Sequence, residues 1–382
     1  VRITKFVTPE IIFGAGALSQ VGECLLRLGA RKVFIGSDPG VLAHGWVERV
    51  VHHLKQHNLE YHLWTSASPN PKDFEVHAGV EAYLNAECNA VLGIGGGSAI
   101  DAAKAIALLG SNGGTIHQYE GVDKIKSPLP PMVMVPTTAG SGSEVSQFSI
   151  IVDTNRSVKM TIVSKSLIPD IAIVDPETLT TKDRRLTANT GMDVLTHGIE
   201  SYVSLAATPL TEVYSLQAIR LVARYLRPST ACQSNHEAKA AMAMASLQAG
   251  MAFSNAILGA VHAISHQLGG MLDTPHGEVN AILLPYVMQY NCIACPEKYG
   301  KIAEAFGEPV AGCSSTQAAK RAIEAVRELA DDLDIPTTLS TLGLRDEQIA
   351  ILSHNAVKDV CMVTNPRDMS EDDVAALLRQ AM

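Results

Sequence analysis

Asp193 and His197 stand four residues apart in Gly191-Met-Asp-Val-Leu-Thr-His-Gly-Ile-Glu200, and His262 and His266 stand four apart in Gly259-Ala-Val-His-Ala-Ile-Ser-His-Gln-Leu268. On helices that spacing puts both members of a pair on one face. His276 follows in Thr274-Pro-His-Gly277, beside an expected helix start. From Ala240 to Leu272 no residue carries a formal charge, so two of these imidazoles lie in a largely apolar stretch. One carboxylate and several imidazoles from neighbouring buried helices suit a divalent transition metal of the iron or zinc type. A single buried histidine is ordinary core; several with an aspartate are not.

A second chemistry is written in glycines. Gly93-Ile-Gly-Gly-Gly-Ser-Ala-Ile-Asp101 follows an expected strand and opens an expected helix. Missing side chains let the backbone approach a phosphate, and the free N–H groups of a helix start supply donors. The spacing departs from G-x-G-x-x-G, so a tight strand–helix turn is the plainer alternative. Pro136-Thr-Thr-Ala-Gly-Ser-Gly-Ser-Glu144 follows the next strand in the same way and is dense in hydroxyls. Two such loops at the carboxyl ends of neighbouring strands mark the ligand edge of an open α/β sheet. Asp38, just past the strand ending at Gly36, can accept ribose hydroxyls and repel a 2′-phosphate, favouring NAD over NADP. As a lone acid it serves equally well as a turn or helix cap.

The elements that must position these residues change character along the chain. Lys32–Gly36, Tyr61–Trp64, Ala90–Ile94 and Met132–Val135 read as buried strands, alternating with helical patterns over Val41–His57, Val76–Leu84 and Ala99–Leu109. That alternation predicts a parallel sheet covered on both faces. Ser149–Val152 and Val158–Val163 around Asp153-Thr-Asn-Arg156 predict a hairpin appended to that sheet. After Asp175-Pro176 strand runs cease and Ala/Leu-rich helical patterns follow, with stops expected at Pro209, Pro285, Pro296, Pro336 and Gly343. The expected organisation is an α/β dinucleotide-binding domain with a parallel sheet over residues 1–183, and an all-helical metal-binding domain over 184–382.

Composition closes off other classes. A chain of 382 residues exceeds what one core usually serves. With 47% hydrophobic and 18% charged residues it is no disordered chain. Lys+Arg 30 against Asp+Glu 39 gives a net charge of −9, which argues against nucleic-acid and anionic-membrane partners. Polar residues such as Ser246, Gln248, Asn255 and Ser265, with Gly259 and Gly269-Gly270, interrupt the uncharged run. Buried helices are therefore expected there, not a membrane span. The seven cysteines lack paired spacing apart from Cys292-x-x-Cys295, and a zinc ribbon would need a second pair. Reduced thiols and a chain start without a basic-then-apolar segment lead to the expectation of a cytoplasmic protein.

Taken in order, these motifs resemble the iron-containing, group III alcohol dehydrogenases, from Phe13-Gly-Ala-Gly16 through Asn365-Pro-Arg367. The strongest matches are Gly95–Ser98, Pro136–Glu144, Gly191–His197, Val261–Gly270 and Pro275–Pro285; the subgroup looks like the short-chain alcohol, 1,3-propanediol and methanol dehydrogenases. The resemblance implies the dehydroquinate synthase-like fold, with the active site in the cleft between its two domains. It makes Asp193, His197, His262 and His276 the ligands of Fe²⁺ or Zn²⁺, Asp193 thereby entering catalysis, and leaves His266 near the substrate as a proton relay. For NAD it implicates Asp38, Asn70 in Pro69-Asn-Pro71, Gly96, Gly97, Ser98, Asp101, Thr137, Thr138, Ser141 and Lys159. Phe148, Phe253 and Cys361 are candidate substrate-pocket lining, mostly apolar, and no Arg or Lys stands near the metal motifs to grip a carboxylate. The implied activity is hydride transfer between a small uncharged primary alcohol or diol and NAD, by a homodimer or larger homo-oligomer. Two departures are modest: Ser141 stands where Thr is common, and Phe148 where relatives vary. A glycerol dehydrogenase-like polyol oxidation, a dehydroquinate synthase-like lyase and a scaffold without turnover are the rival readings. The lyase would want several Lys/Arg around the metal, which the uncharged run does not supply.

Overall fold

The structure is a computed structural model and describes residues 5–382. It divides into two compact units, Val7–Thr181 and Lys182–Met382, the latter joined by Lys5 and Phe6. The division thus falls two residues ahead of the expected one, and Lys5 and Phe6 leave the α/β unit.

With strands numbered in chain order, the α/β unit holds six parallel strands: β1 (Glu10–Phe13), β9 (Ile171–Val174), β6 (Met132–Pro136), β4 (Ala90–Gly95), β2 (Lys32–Gly36) and β3 (Glu60–Trp64), neighbours in that order. Alternate residues face opposite sides, so Phe34, Val91 and Met134 enter one core while Val33, Ile35, Leu92 and Val133 enter the other. Two covered faces explain why these strands read as continuous apolar runs. From β2 the chain steps to β3 on one side, and from β4 to β6 on the other. The carboxyl ends of β2 and β4 therefore flank the point where strand order reverses, the ligand position in open α/β sheets.

Several local expectations differ. The hairpin β7 (Phe148–Asp153) and β8 (Val158–Val163) pairs with β5 (Gly121–Val122) in a sheet of its own. Its apolar residues Ile151, Met160 and Ile162 bury against α5 (Gly97–Asn112), which draws the hairpin away from the main sheet. The helical run from Val41 splits into α2 (Pro39–Ala43) and α3 (Trp46–Gln56), because Gly45 turns at φ 78. β1 and β9 have four residues each, too short for a period to show.

The second unit contains α6 (Arg184–Val203), α7 (Pro209–Ala231), α8 (His236–Ala256), α9 (Ala260–Leu272), α10 (His276–Asn291) and four later helices, with no strand among its described residues. α6 begins where the Asp183 carboxylate accepts from the Leu186 N–H at 2.8 Å. Pro209 and Pro296 open helices instead of stopping them, and Pro285 lies inside α10. Burial of Val279, Ile282, Leu283 and Val287 on that helix offsets the backbone hydrogen bond a proline removes. The uncharged run forms α8 and α9, bent by 100° at their junction, and no single helix among the described residues is long and apolar enough to cross a membrane. At that junction Ile257 holds φ 61 and ψ −172, a region that glycine normally occupies.

Candidate metal centre and cofactor cradle

Three helices of the second unit aim polar atoms at one point. Asp193 and His197 come from the middle of α6, His262 from the first turn of α9, and His276 is the first residue of α10. One donor atom each of Asp193, His262 and His276 lies within 4.8 Å of the other two. Asp193 Oδ1 is 3.7 Å from His262 Nε2 and 3.9 Å from His276 Nε2. His197 joins through the same oxygen, its Nε2 3.9 Å away, and its ring stacks on His262 at 4.6 Å. The Asn280 amide nitrogen donates to Asp193 Oδ1 at 2.7 Å and sits 3.2 Å from both His262 Nε2 and His276 Nε2. Burial alone would push the Asp193 carboxyl up, but the imidazoles of His197, His276 and His262 hold it well below the usual carboxylate range. A buried anion among three ring nitrogens is a donor set for a divalent transition metal.

The packing of α10 on α6 delivers His276. Gly277 lies on the backbone of Asn189, where a Cβ would come 2.8 Å from the Asn189 carbonyl carbon. Fully buried Glu278 accepts from Arg185 Nη2 at 3.0 Å and from Asn189 Nδ2 at 3.3 Å, tying the first turn of α10 to α6. A buried carboxylate demands such partners.

Two acids not singled out from the sequence complete the site. Glu200 Oε2 lies 2.6 Å from His262 Nδ1, and Asp359 Oδ2 lies 3.0 Å from His266 Nδ1. Ser265 Oγ is 2.9 Å from His276 Nδ1. Glu200 carried a signal, since it falls seven residues after Asp193 and so on the same helix face. Asp359 carried none, being 93 residues from its partner. Burial works against a charged His262, yet Asp193 and Glu200 outweigh it and push this imidazole up to about 9. Burial likewise raises Asp359, and the neighbouring His266 imidazole brings it below its ordinary value.

The α/β unit gathers the expected cofactor residues. Asp38 does cap a helix: its Oδ1 accepts from the Val41 N–H at 3.0 Å, while a Cβ on Gly95 would meet Oδ2 at 3.0 Å. Gly96 precedes α5 and offers no side-chain cap, which leaves the first N–H groups of that helix open to an anion. The Asn70 N–H donates to Ser98 Oγ at 3.2 Å. Thr137 N–H donates to Gly95 O at 2.8 Å. Thr138 and Ser141 press on Gly96 and Gly97, where a Cβ would come 3.4 Å from Thr138 Oγ1 and 2.7 Å from Ser141 Cβ. Asp101 is driven up to about 6 by burial, against the pull of Lys104 and Lys159, and its Oδ2 accepts from the Ile150 N–H at 3.2 Å. Buried Thr137 Oγ1 and Asp101 Oδ1 have no hydrogen-bond partner among the described residues. Lys104, missed in the sequence, is wholly buried and donates to Ser146 O at 2.7 Å and Phe148 O at 3.1 Å, fastening the segment between the second loop and β7 to α5.

The three pocket candidates are divided. Phe253 stacks on His197 at 4.5 Å, and Cys361 is buried beside Asp359, to whose Oδ1 its N–H donates at 2.9 Å. Phe148 stands at the start of β7 in the α/β unit.

Comparison with known proteins agrees with both halves. Residues 8–176 match the iron-containing alcohol dehydrogenase family model, and 187–382 match the Fe-containing alcohol dehydrogenase family, C-terminal. The chain is 42% identical to the 1,3-propanediol dehydrogenase of Klebsiella pneumoniae, covering 100% of this chain and 99% of that protein. It is 40% identical to the NAD-dependent methanol dehydrogenase of Bacillus methanolicus, covering 99% of each. A crystal structure of 1,3-propanediol oxidoreductase superposes with a TM-score of 0.97 at 42% identity over 100% of both chains. Donor set, glycine cradle and full-length likeness together place the chain in the iron-containing alcohol dehydrogenase family, as an alcohol oxidoreductase.

Proposed function

We propose that the protein transfers hydride between a small uncharged primary alcohol or diol and NAD, yielding aldehyde, NADH and a proton. Asp193, His197, His262 and His276 hold the divalent cation, Fe²⁺ or Zn²⁺. The observation that carries this reading is the convergence of a buried carboxylate and imidazole nitrogens from three helices, Asp193, His262 and His276 within 4.8 Å of one another. The cradle fits NAD through the open N–H groups of α5 and the unpartnered Thr137 hydroxyl.

When bound, the cation supplies Lewis acidity toward the substrate oxygen. NAD supplies the ring that takes the hydride. The chain's own residues do the rest. Asp193 neutralises part of the metal charge, while uncharged imidazoles leave a net positive field where negative charge gathers on oxygen. His266 keeps its Nδ1 proton on Asp359, so its Nε2 is available to take the hydroxyl proton. Phe253 covers His197 and keeps water from that side. In the α/β unit Gly96, Gly97 and Ser98 bind the diphosphate, and Asp38 takes the adenosine ribose.

An anaerobic screen of short alcohols and diols after loading with Fe²⁺ or Zn²⁺ tests the activity. NADH formation from ethanol or 1,3-propanediol is expected; a strong preference for a hydroxy acid such as 4-hydroxybutyrate contradicts the substrate class. Asp38→Gly should lower the preference for NAD over NADP, in kcat/KM, by about tenfold, as a like-charge clash with the 2′-phosphate disappears. Glycine replaces a cap at a cost of only a few tenths of a kcal/mol, so the helix survives. Unchanged discrimination would remove Asp38 from that role. Asp359→Asn should lower kcat roughly tenfold with substrate KM within about twofold, since it frees the His266 ring to turn. Steady-state kinetics would read a proportional rise in KM as loss of binding, against the proton-relay assignment.

A further inference from the structure

We infer that Glu200 is a positioning residue that sets the tautomer of His262 and so makes that imidazole a metal ligand, an assignment resting on the metal-site reading above. Its two oxygens have different partners. Oε1 accepts from the Val261 N–H at 2.7 Å, and Oε2 lies 2.6 Å from His262 Nδ1. Both contacts are buried, Glu200 being 4% exposed and His262 1%. The residue that precedes α9, Gly259, has no side chain to cap the helix, so Glu200 from α6 serves as its cap from outside. A Cβ on Gly259 would come 2.9 Å from Glu200 Oε1, so the approach depends on that glycine.

The Val261 amide can only donate, which fixes Oε1 as an acceptor. A carboxylate then offers Oε2 as an acceptor too, and His262 must carry its proton on Nδ1. In the neutral ring the Nε2 lone pair is thereby left toward Asp193 and His276, the arrangement in which this nitrogen can bind a cation there. Glutamine at position 200 has nearly the same shape and the opposite logic. If its carbonyl accepts from Val261, its amide N–H₂ faces His262 Nδ1 and drives the ring proton to Nε2. If it turns over, two donors meet at Val261.

The test measures Zn²⁺ affinity by chelator competition, and Fe²⁺ affinity under anaerobic conditions, for wild type, Glu200→Gln and His276→Ala, all as the full chain. Glu200→Gln is expected to lose about 10–100-fold in affinity, the range typical of partners that orient a metal-binding histidine. Nitrogen NMR of the metal-free protein, recorded at a pH alkaline enough to leave the ring a single proton, should show that His262 proton on Nδ1 in wild type and on Nε2 in the variant. Amide exchange at Val261 should stay slow in the variant, because the glutamine carbonyl keeps the cap. If affinity stays within about threefold and the ring proton remains on Nδ1, the inference is overturned. If Val261 exchange and affinity collapse together with no tautomer change, Glu200 is only a cap and the inference again fails. Zn²⁺ binding that survives His276→Ala at wild-type affinity overturns the site itself, and the role of Glu200 with it.

Discussion

His276→Ala is expected to release the bound cation and to lower kcat/KM by about 10³-fold or more, with NAD affinity unchanged. His276 contributes one of the donors converging on Asp193 Oδ1, 3.9 Å from it, and no other side chain of α10 offers a ring nitrogen there. Lewis-acid stabilisation is worth several kcal/mol, and about 4 kcal/mol corresponds to roughly 10³-fold. The residue opens its helix and is not fully enclosed, its side chain being 28% exposed, so alanine leaves little cavity and the fold should persist. Steady-state kinetics, metal content and NAD binding by fluorescence separate the outcomes. Retention of one cation per chain with near-native turnover would contradict the ligand assignment.

Gly277→Ala should be nearly as damaging without replacing any ligand. The added Cβ overlaps the carbonyl oxygen of Asn189 and comes 2.8 Å from its carbonyl carbon and 3.5 Å from Asp193 Cβ. Helix backbone cannot step aside as a flexible side chain would, so α10 must move off α6 and carry His276 with it. Overpacking of this kind costs about 3 kcal/mol at the upper end of its usual range, a drop of roughly 6–12 °C in Tm. A displacement of about 1 Å at the reacting centre costs roughly 10²-fold in kcat. Gly300→Ala is the control: its Cβ meets only Ala318 Cβ, at 3.4 Å, and alanine suits a helix better than glycine. Differential scanning calorimetry and kcat of the two variants should diverge; equal behaviour would show that the α6–α10 contact does not set the site.

What could be read from the sequence was local chemistry at helical or strand period. Asp193 and His197 on one face, the glycines after Gly93 and the hydroxyl-rich loop after Pro136 each announce a role within ten residues. The alternation of strands and helices to Val174, and the helices after it, follow from apolar period. What escaped depends on partners distant in sequence. The hairpin at Phe148 joins its own sheet because α5 offers it an apolar surface, which strand period cannot show. Pro285 sits within α10 because packing overrides a local breaker. The i,i+4 spacing equally pairs His262 with His266, yet only His262 joins Asp193, since Asp359 draws the His266 ring to itself. Glu200 was legible by periodicity but reads as surface charge until α9 is seen lying against it.

The most direct measurement is anomalous diffraction at the iron or zinc edge from crystals of the metal-loaded, catalytically active enzyme. One peak is predicted per chain, about 2.0–2.2 Å from an Asp193 oxygen and from Nε2 of His197, His262 and His276. A cation bound elsewhere, or full turnover from protein that shows no peak among these residues, would contradict the account.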